Sequence, residues 1–163
     1  TNVMQIPLGR SIHDEVLQAS KILLVDDEAD NVQLLENILK HWGYTNLTST
    51  TDSRDALELF RSQHPDLIFL DWMMPHMDGA QIIEQLLPEI GNTYVPIVVL
   101  TADNSPQTKR RALASGARDF LTKPYDPFEV LLRLQNLLET RCLFLELQNQ
   151  KGLLEAALRR NEN

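Results

Sequence analysis

The chain has little that would tie it to an oxidising compartment, a bilayer or a nucleic acid. It holds one cysteine, Cys142, so no intrachain disulfide can form. A reducing cytoplasm is therefore the expected setting. No apolar run approaches the roughly 20 residues of a membrane-spanning helix; the stretch from Val95 to Leu100 is typical of those present. Residues 1–20 lack a basic start and an apolar stretch behind it, so no signal peptide is expected. Basic residues are in the minority, 15 Lys and Arg against 23 Asp and Glu, for a net charge of −8. A nucleic-acid surface would be basic. His13, His41, His64 and His76 are scattered, and none has a cysteine or second histidine at metal-ligand spacing. The first residue is Thr rather than Met, which fits a fragment or a processed form.

What is present is an alternation of two patterns. Ile22 to Val25 is a short apolar run that reads as a strand buried on both faces. From Ala29 to Trp42, apolar residues recur at helical spacing until Gly43 stops them. Tyr44 to Thr50 is rich in Thr and reads as a second strand. Asp52 or Ser53 can cap a helix running to Arg61. Leu67 to Leu70 is a third strand, followed by an irregular loop from Asp71 to Gly79 and a helix from Ala80 to Leu87. Val95 to Leu100 is a fourth strand. Ser105 caps the next helix, with Pro106 in its first turn and Gly116 at its end. Ala117 to Leu121 is a fifth strand, and Asp126 caps a last helix that starts at Pro127. Short links between strands and helices imply a parallel sheet with right-handed crossovers and helices on both faces. Five strands in about 120 residues match a flavodoxin-like, doubly wound α/β sheet of order 2-1-3-4-5.

In such sheets ligands sit beyond the C-terminal strand ends, beside strands 1 and 3. Strand 1 is followed by Asp26 and Asp27, strand 3 by Asp71, strand 4 by Thr101 and Ala102, and strand 5 by Thr122, Lys123 and Pro124. Three carboxylates therefore converge, with a hydroxyl and an ammonium at their edge. Any one of these acids would read as a solvated loop residue. Together they demand a cation, and hard oxygen ligands suit Mg²⁺, with Mn²⁺ a further option. The loop after strand 1 lacks the glycines and bare amides of a phosphate cradle, which disfavours a nucleotide site.

The ordered set V-D-D-E, L-D-W-M-M-P-H-M-D-G, V-V-L-T-A and D-F-L-T-K-P resembles the receiver domain of two-component response regulators, over about residues 20–140. The resemblance implies a signalling phosphoacceptor, not a turnover enzyme. Its partner would be a histidine kinase or a phosphotransfer protein. It implies that Asp71 accepts the phosphoryl group. Asp27, Asp71 and the Met73 carbonyl would bind Mg²⁺ directly, and Asp26 would act through bound water. The Thr101 hydroxyl, the Met73 and Ala102 amides and Lys123 would contact the phosphoryl group. Phe120 stands at the switch-aromatic position and, lacking a hydroxyl, would act by burial of its ring. The surface that changes would be formed by the helix after strand 4, strand 5 and the helix after strand 5. The Lys123–Pro124 bond would be cis. The methionines of the loop and Gly79 read as packing and turn residues, and Met73 and Asp103 as residues that tune phosphoryl loss.

Three regions follow. Residues 1–20 form a leader of unknown role, 21–140 the receiver domain and 141–163 a helical extension. From Pro127 to Arg160 only Gly152 interrupts the helical pattern. Leu131, Leu138, Cys142 and Leu145, then Leu147, Leu154 and Ala157, form an imperfect apolar stripe. It reads as a coiled coil that makes a homodimer, against a tail folded back on its own domain. The L-L-R-L-Q-N-L-L-E-T-R stretch is similar to linkers that lead to cyclic-dinucleotide phosphodiesterase or cyclase domains, so an output domain is expected beyond Asn163. Two rivals remain. An aspartate-nucleophile phosphatase of the haloacid dehalogenase type would place its nucleophile after strand 1, in a D-x-D pattern. A fold-only interaction module would not need Asp26, Asp27, Asp71, Thr101 and Lys123 together.

Overall fold

The computed structural model describes residues 12–162. Five strands, β1 (Ile22–Val25), β2 (Leu47–Thr50), β3 (Leu67–Asp71), β4 (Ile97–Thr101) and β5 (Asp119–Thr122), form one parallel sheet in the order β2-β1-β3-β4-β5. The helices are α1 (Ile12–Gln18), α2 (Ala29–His41), α3 (Ala56–Gln63), α4 (Gly79–Ile90), α5 (Pro106–Ser115) and α6 (Pro127–Asn161). This is the doubly wound flavodoxin-like order that the alternation implies.

The apolar runs form strands because both of their faces are covered. Ile22 and Leu24 join Phe69, Val98, Leu100 and Leu121 in a core under α1, α2 and α6. Leu23 and Val25 point the other way, with Ile68, Leu70, Ile97 and Val99, into a core under α3, α4 and α5. Each fully buried Leu, Ile or Val contributes about 1.5–3 kcal/mol of apolar transfer. That is why all four residues of β1 are apolar.

Boundaries shift where local chemistry overrides periodicity. The second strand begins at Leu47, not Tyr44. The residues before it close α2 in a Schellman motif, with Tyr44 N–H bonded to Leu39 O at 2.9 Å and Gly43 N–H to Lys40 O at 3.0 Å. Helix α4 continues through Pro88 to Ile90. Pro88 removes one donor near the helix end, but Ile83, Leu86 and Ile90 keep the buried stripe intact. Gly116 ends α5 at φ +119°, where a Cβ would lie 2.9 Å from the Leu87 side chain.

The described part of the leader packs on the domain. Leu17 of α1 is buried among Leu39, Tyr44 and Leu138, and the Gln18 amide donates to Trp42 O at 3.1 Å. Helix α6 is 35 residues long, about 52 Å at 1.5 Å per residue. Val130, Leu131, Leu134 and Leu138 bury its first half. Below the sheet a clamp holds it. Arg141 donates to Tyr94 O and pairs with the Asp66 carboxylate at 2.9 Å, while Asp66 also accepts the Lys21 N–H at 2.8 Å. One turn on, Phe144 meets the Tyr94 ring, with centroids 5.7 Å apart. Arg141→Ala is expected to cost about 2 kcal/mol for the charge-assisted bonds lost. It should also speed amide exchange in α6 beyond Leu138, measured by hydrogen–deuterium exchange. Unchanged exchange there would show that the other contacts of this segment, Phe144 on Tyr94 and Gln148 on Asn92 O, hold the helix without Arg141. No helix among the described residues is long and apolar enough to cross a membrane.

Candidate functional site

The sheet order brings together residues far apart in sequence. Asp26 and Asp27 follow β1, Asp71 ends β3, Thr101 ends β4 and Lys123 follows β5. Because β1 and β3 pair in register, Val25 with Leu70, their acids meet at one edge. Asp26, Asp71 and Thr101 are all buried, and Asp27 is half-buried at the mouth. The Lys123 ammonium bridges the floor. It lies 2.9 Å from Asp26 Oδ2 and 3.4 Å from Asp71 Oδ1. The Glu28 N–H donates to Asp26 Oδ1 at 3.0 Å. The Lys123–Pro124 peptide bond is cis.

The electrostatics are those of a site short of positive charge. One carboxylate oxygen from each of Asp26, Asp27 and Asp71 lies within 4.8 Å of the others. Burial first, and the Asp26 charge second, push the Asp71 carboxyl up to about 7 against the opposing pull of Lys123. The Asp27 carboxyl beside it adds to this rise. Three clustered carboxylates offer the oxygen ligands that suit a hard divalent cation such as Mg²⁺. Mg²⁺ would be held by Asp27 and Asp71.

The loops around this edge are fixed by contacts that periodicity does not reveal. Asp78 caps α4 in a capping box with Gln81, each bond 2.9 Å. Gly79 sits where a Cβ would be 2.9 Å from the Trp72 ring and 3.0 Å from Asp71 O, so close approach rather than turn geometry requires glycine. Of the two cap candidates Asp52 and Ser53, Asp52 accepts the Arg54 N–H. Buried Ser53 instead pins the loop after β3, donating to Pro75 O at 3.1 Å and accepting from Met77 N–H at 3.3 Å. Met74 and Met77 pack on the core, whereas Met73 is 74% exposed.

Thr101 does not face the acids with a free hydroxyl. Its Oγ1 donates to Asp103 O at 3.2 Å and accepts the Asp103 N–H at 3.0 Å. The Asp103 carboxylate in turn accepts from Ser105 N–H at 2.9 Å and Thr108 Oγ1 at 2.6 Å, which holds its pKa below the usual range. Ala102 is exposed beside it. Phe120 is half-buried at the far edge, with the Lys109 ammonium 4.6 Å from its ring centroid. The sequence pointed to Asp26, Asp27, Asp71, Met73, Thr101, Ala102, Phe120 and Lys123, but not to Ser53 as a loop pin, to the Asp78–Gln81 capping box, or to Thr108 and Lys109.

The chain is similar to known proteins in sequence and in fold. Residues 22–135 match the family model of the response regulator receiver domain. The chain is 40% identical over 118 residues to the alkaline phosphatase synthesis transcriptional regulatory protein PhoP of Bacillus subtilis, covering 72% of this chain and 48% of PhoP. It is 35% identical over 134 residues to the response regulator PleD of Caulobacter vibrioides, covering 82% of this chain and 29% of PleD. The chain thus spans about half or less of the length of these relatives. The Francisella response regulator 1452 receiver domain superposes with a TM-score of 0.67 at 31% identity, over 74% of this chain and 98% of that one. With the parallel sheet, the acids at its edge and the family match in agreement, this chain belongs to the response regulator receiver domain family.

Proposed function

We propose that Asp71 is the phosphoacceptor, serving a histidine kinase or a phosphotransfer protein in a cytoplasmic two-component system. The observation that carries this is the position of Asp71. It lies buried at the end of β3, among two further carboxylates and one ammonium. An Asp71 oxygen attacks the phosphorus of a phosphohistidine, the P–N bond breaks, and the departing imidazole takes its electron pair and then a proton. A bound Mg²⁺ supplies positive charge for the phosphoryl oxygens. Asp27 and Asp71, with the Met73 carbonyl, would hold that cation, and Asp26 would act through bound water. Lys123 moves from its carboxylate partners to a phosphoryl oxygen. The Met73 and Ala102 amides donate to the same group. Thr101 exchanges its bond to Asp103 O for one to the phosphoryl group, which draws in the loop before α5. Phe120 then buries its ring further, and the surface of α5, β5 and α6 changes.

The chain itself acts as a signalling phosphoacceptor, whose only chemistry is gain and loss of its own phosphoryl group. Helix α6 carries the change onward to an output domain beyond Asn163. Leu143, Leu147, Leu153, Leu154 and Leu158 are each more than half exposed along it. Such a stripe supports a coiled-coil pairing with a second copy.

Incubation with acetyl phosphate and Mg²⁺ is expected to add one phosphoryl group by intact mass, and none to Asp71→Asn or in EDTA. Light scattering on the same samples is expected to show a dimer. A phosphoryl group retained by Asp71→Asn would overturn the assignment, and a monomer would overturn the pairing.

A further inference from the structure

The backbone and the hydroxyl of Thr101 are held by different partners. Thr101 O accepts the Lys123 N–H at 2.8 Å, which ties the end of β4 to the residue after β5. The hydroxyl is clasped to Asp103, donating to its carbonyl at 3.2 Å and accepting its N–H at 3.0 Å. A hydroxyl has one proton, so Thr101 cannot hold Asp103 O and donate to a group on Asp71 at the same time. Any donation toward Asp71 starts with release of the clasp.

Asp103 is itself tethered to the first turn of α5. Its Oδ1 accepts the Ser105 N–H at 2.9 Å, and its Oδ2 accepts the Thr108 hydroxyl at 2.6 Å. The second bond is short and charge-assisted. Thr108 is fixed in turn, its hydroxyl accepting from Ser105 Oγ at 3.2 Å and its N–H donating to Ser105 Oγ at 3.3 Å. Ser105 thereby caps α5 through the Thr108 backbone, so the helix start does not need the Thr108 hydroxyl. The next residue, Lys109, sets its ammonium 4.6 Å from the Phe120 ring centroid. One turn of α5 thus holds both the partner of Thr101 and the ring of Phe120.

We propose that Thr108 is a positioning residue for the phosphoryl group: through Asp103 it keeps the Thr101 hydroxyl engaged in the resting state, and its bond must yield before Thr101 can turn to Asp71. This rests on the reading of Asp71 as the phosphoacceptor. A ligand that requires the released Thr101 binds more weakly by the fraction of molecules in which the release has occurred. The Thr108–Asp103 bond lowers that fraction, so losing it favours the phosphorylated form.

The test is titration of the full chain with beryllofluoride, a phosphoryl mimic, in MgCl₂, followed by the fluorescence of Trp72 beside Asp71. Thr108→Val is expected to bind about fivefold more tightly than wild type, the equivalent of one net hydrogen bond. Thr108→Ser keeps the hydroxyl and should match wild type. Without the mimic, the Asp103 amide, which donates to Thr101 Oγ1, should exchange with solvent about fivefold faster in the Val variant alone. A purely structural role would lower stability in the Val variant without tightening the mimic. Equal or weaker binding by Thr108→Val overturns the proposal, and so does a Ser variant that behaves like Val. If wild type takes up no beryllofluoride, the phosphoacceptor reading fails by itself. Amide exchange then decides the tether: faster exchange in Val alone supports it, and equal exchange in all three proteins overturns it.

Discussion

Lys123→Met is expected to destabilise the metal-free protein by about 3–5 kcal/mol at neutral pH, the cost of removing one partner of a buried ion pair. Lys123 is 17% exposed, and its ammonium is the cation that contacts both Asp26 and Asp71. Methionine keeps the length and apolar stem but leaves two buried carboxylates facing each other. The protein has two ways to recover. Acid protonates the carboxylates, and Mg²⁺ supplies the missing charge. Urea unfolding in EDTA should therefore show a large deficit near pH 8 that shrinks toward about pH 5, and Mg²⁺ should restore part of it at high pH. An unchanged midpoint in EDTA at pH 8 would mean that the acids are hydrated well enough to stand alone.

Asp71→Asn should act in the opposite direction. The Asp71 carboxyl is pushed up to about 7 by burial and by Asp26, whereas in the unfolded chain it titrates near 3.8. A raised folded-state value means that folding favours the protonated form. The stability this confers is complete below the unfolded value and is lost as pH rises through about 7. Asparagine, neutral throughout, does not suffer that loss. In EDTA the variant is expected to be more stable than wild type by about 2 kcal/mol near pH 8, with the gap closing toward about pH 4. Saturating Mg²⁺ should reverse the order, since an amide is a poorer ligand than a carboxylate. Melting curves across this range, with and without the cation, check both halves. A variant less stable than wild type in EDTA at pH 8 would sink the argument. Such a result would show that Asp71 is satisfied without a cation. The two substitutions thus measure one quantity, the shortage of positive charge that a phosphoacceptor site keeps open for a cation.

Much of this was legible in the sequence because it is local. The strand β1 is four apolar residues bounded by a lysine and an aspartate. Ser105 before Pro106 and Asp126 before Pro127 mark helix starts through groups two or three residues away. The order of acids, hydroxyl and ammonium after successive strands could be read once the alternation gave a doubly wound sheet. Where periodicity erred, a neighbour had captured the backbone: Tyr44 closes α2 and joins no strand.

The remainder depends on which residues meet across the fold. Lys123 and Asp26 are 97 positions apart, and only the strand order sets them 2.9 Å from each other. No pattern along the chain reveals that Leu17 fills the same core as Leu138, that Arg141 locks α6 to Asp66, or that Ser53 holds the loop after Asp71. Hydrophobic period and helix capping are short-range physics, encoded within a few residues. Charge balance and burial at a site are sums over the whole packed molecule. The sequence by itself therefore determined the elements, their order and the identity of the acids. The tertiary structure decided how much charge those acids lack and which side chains hold them in place.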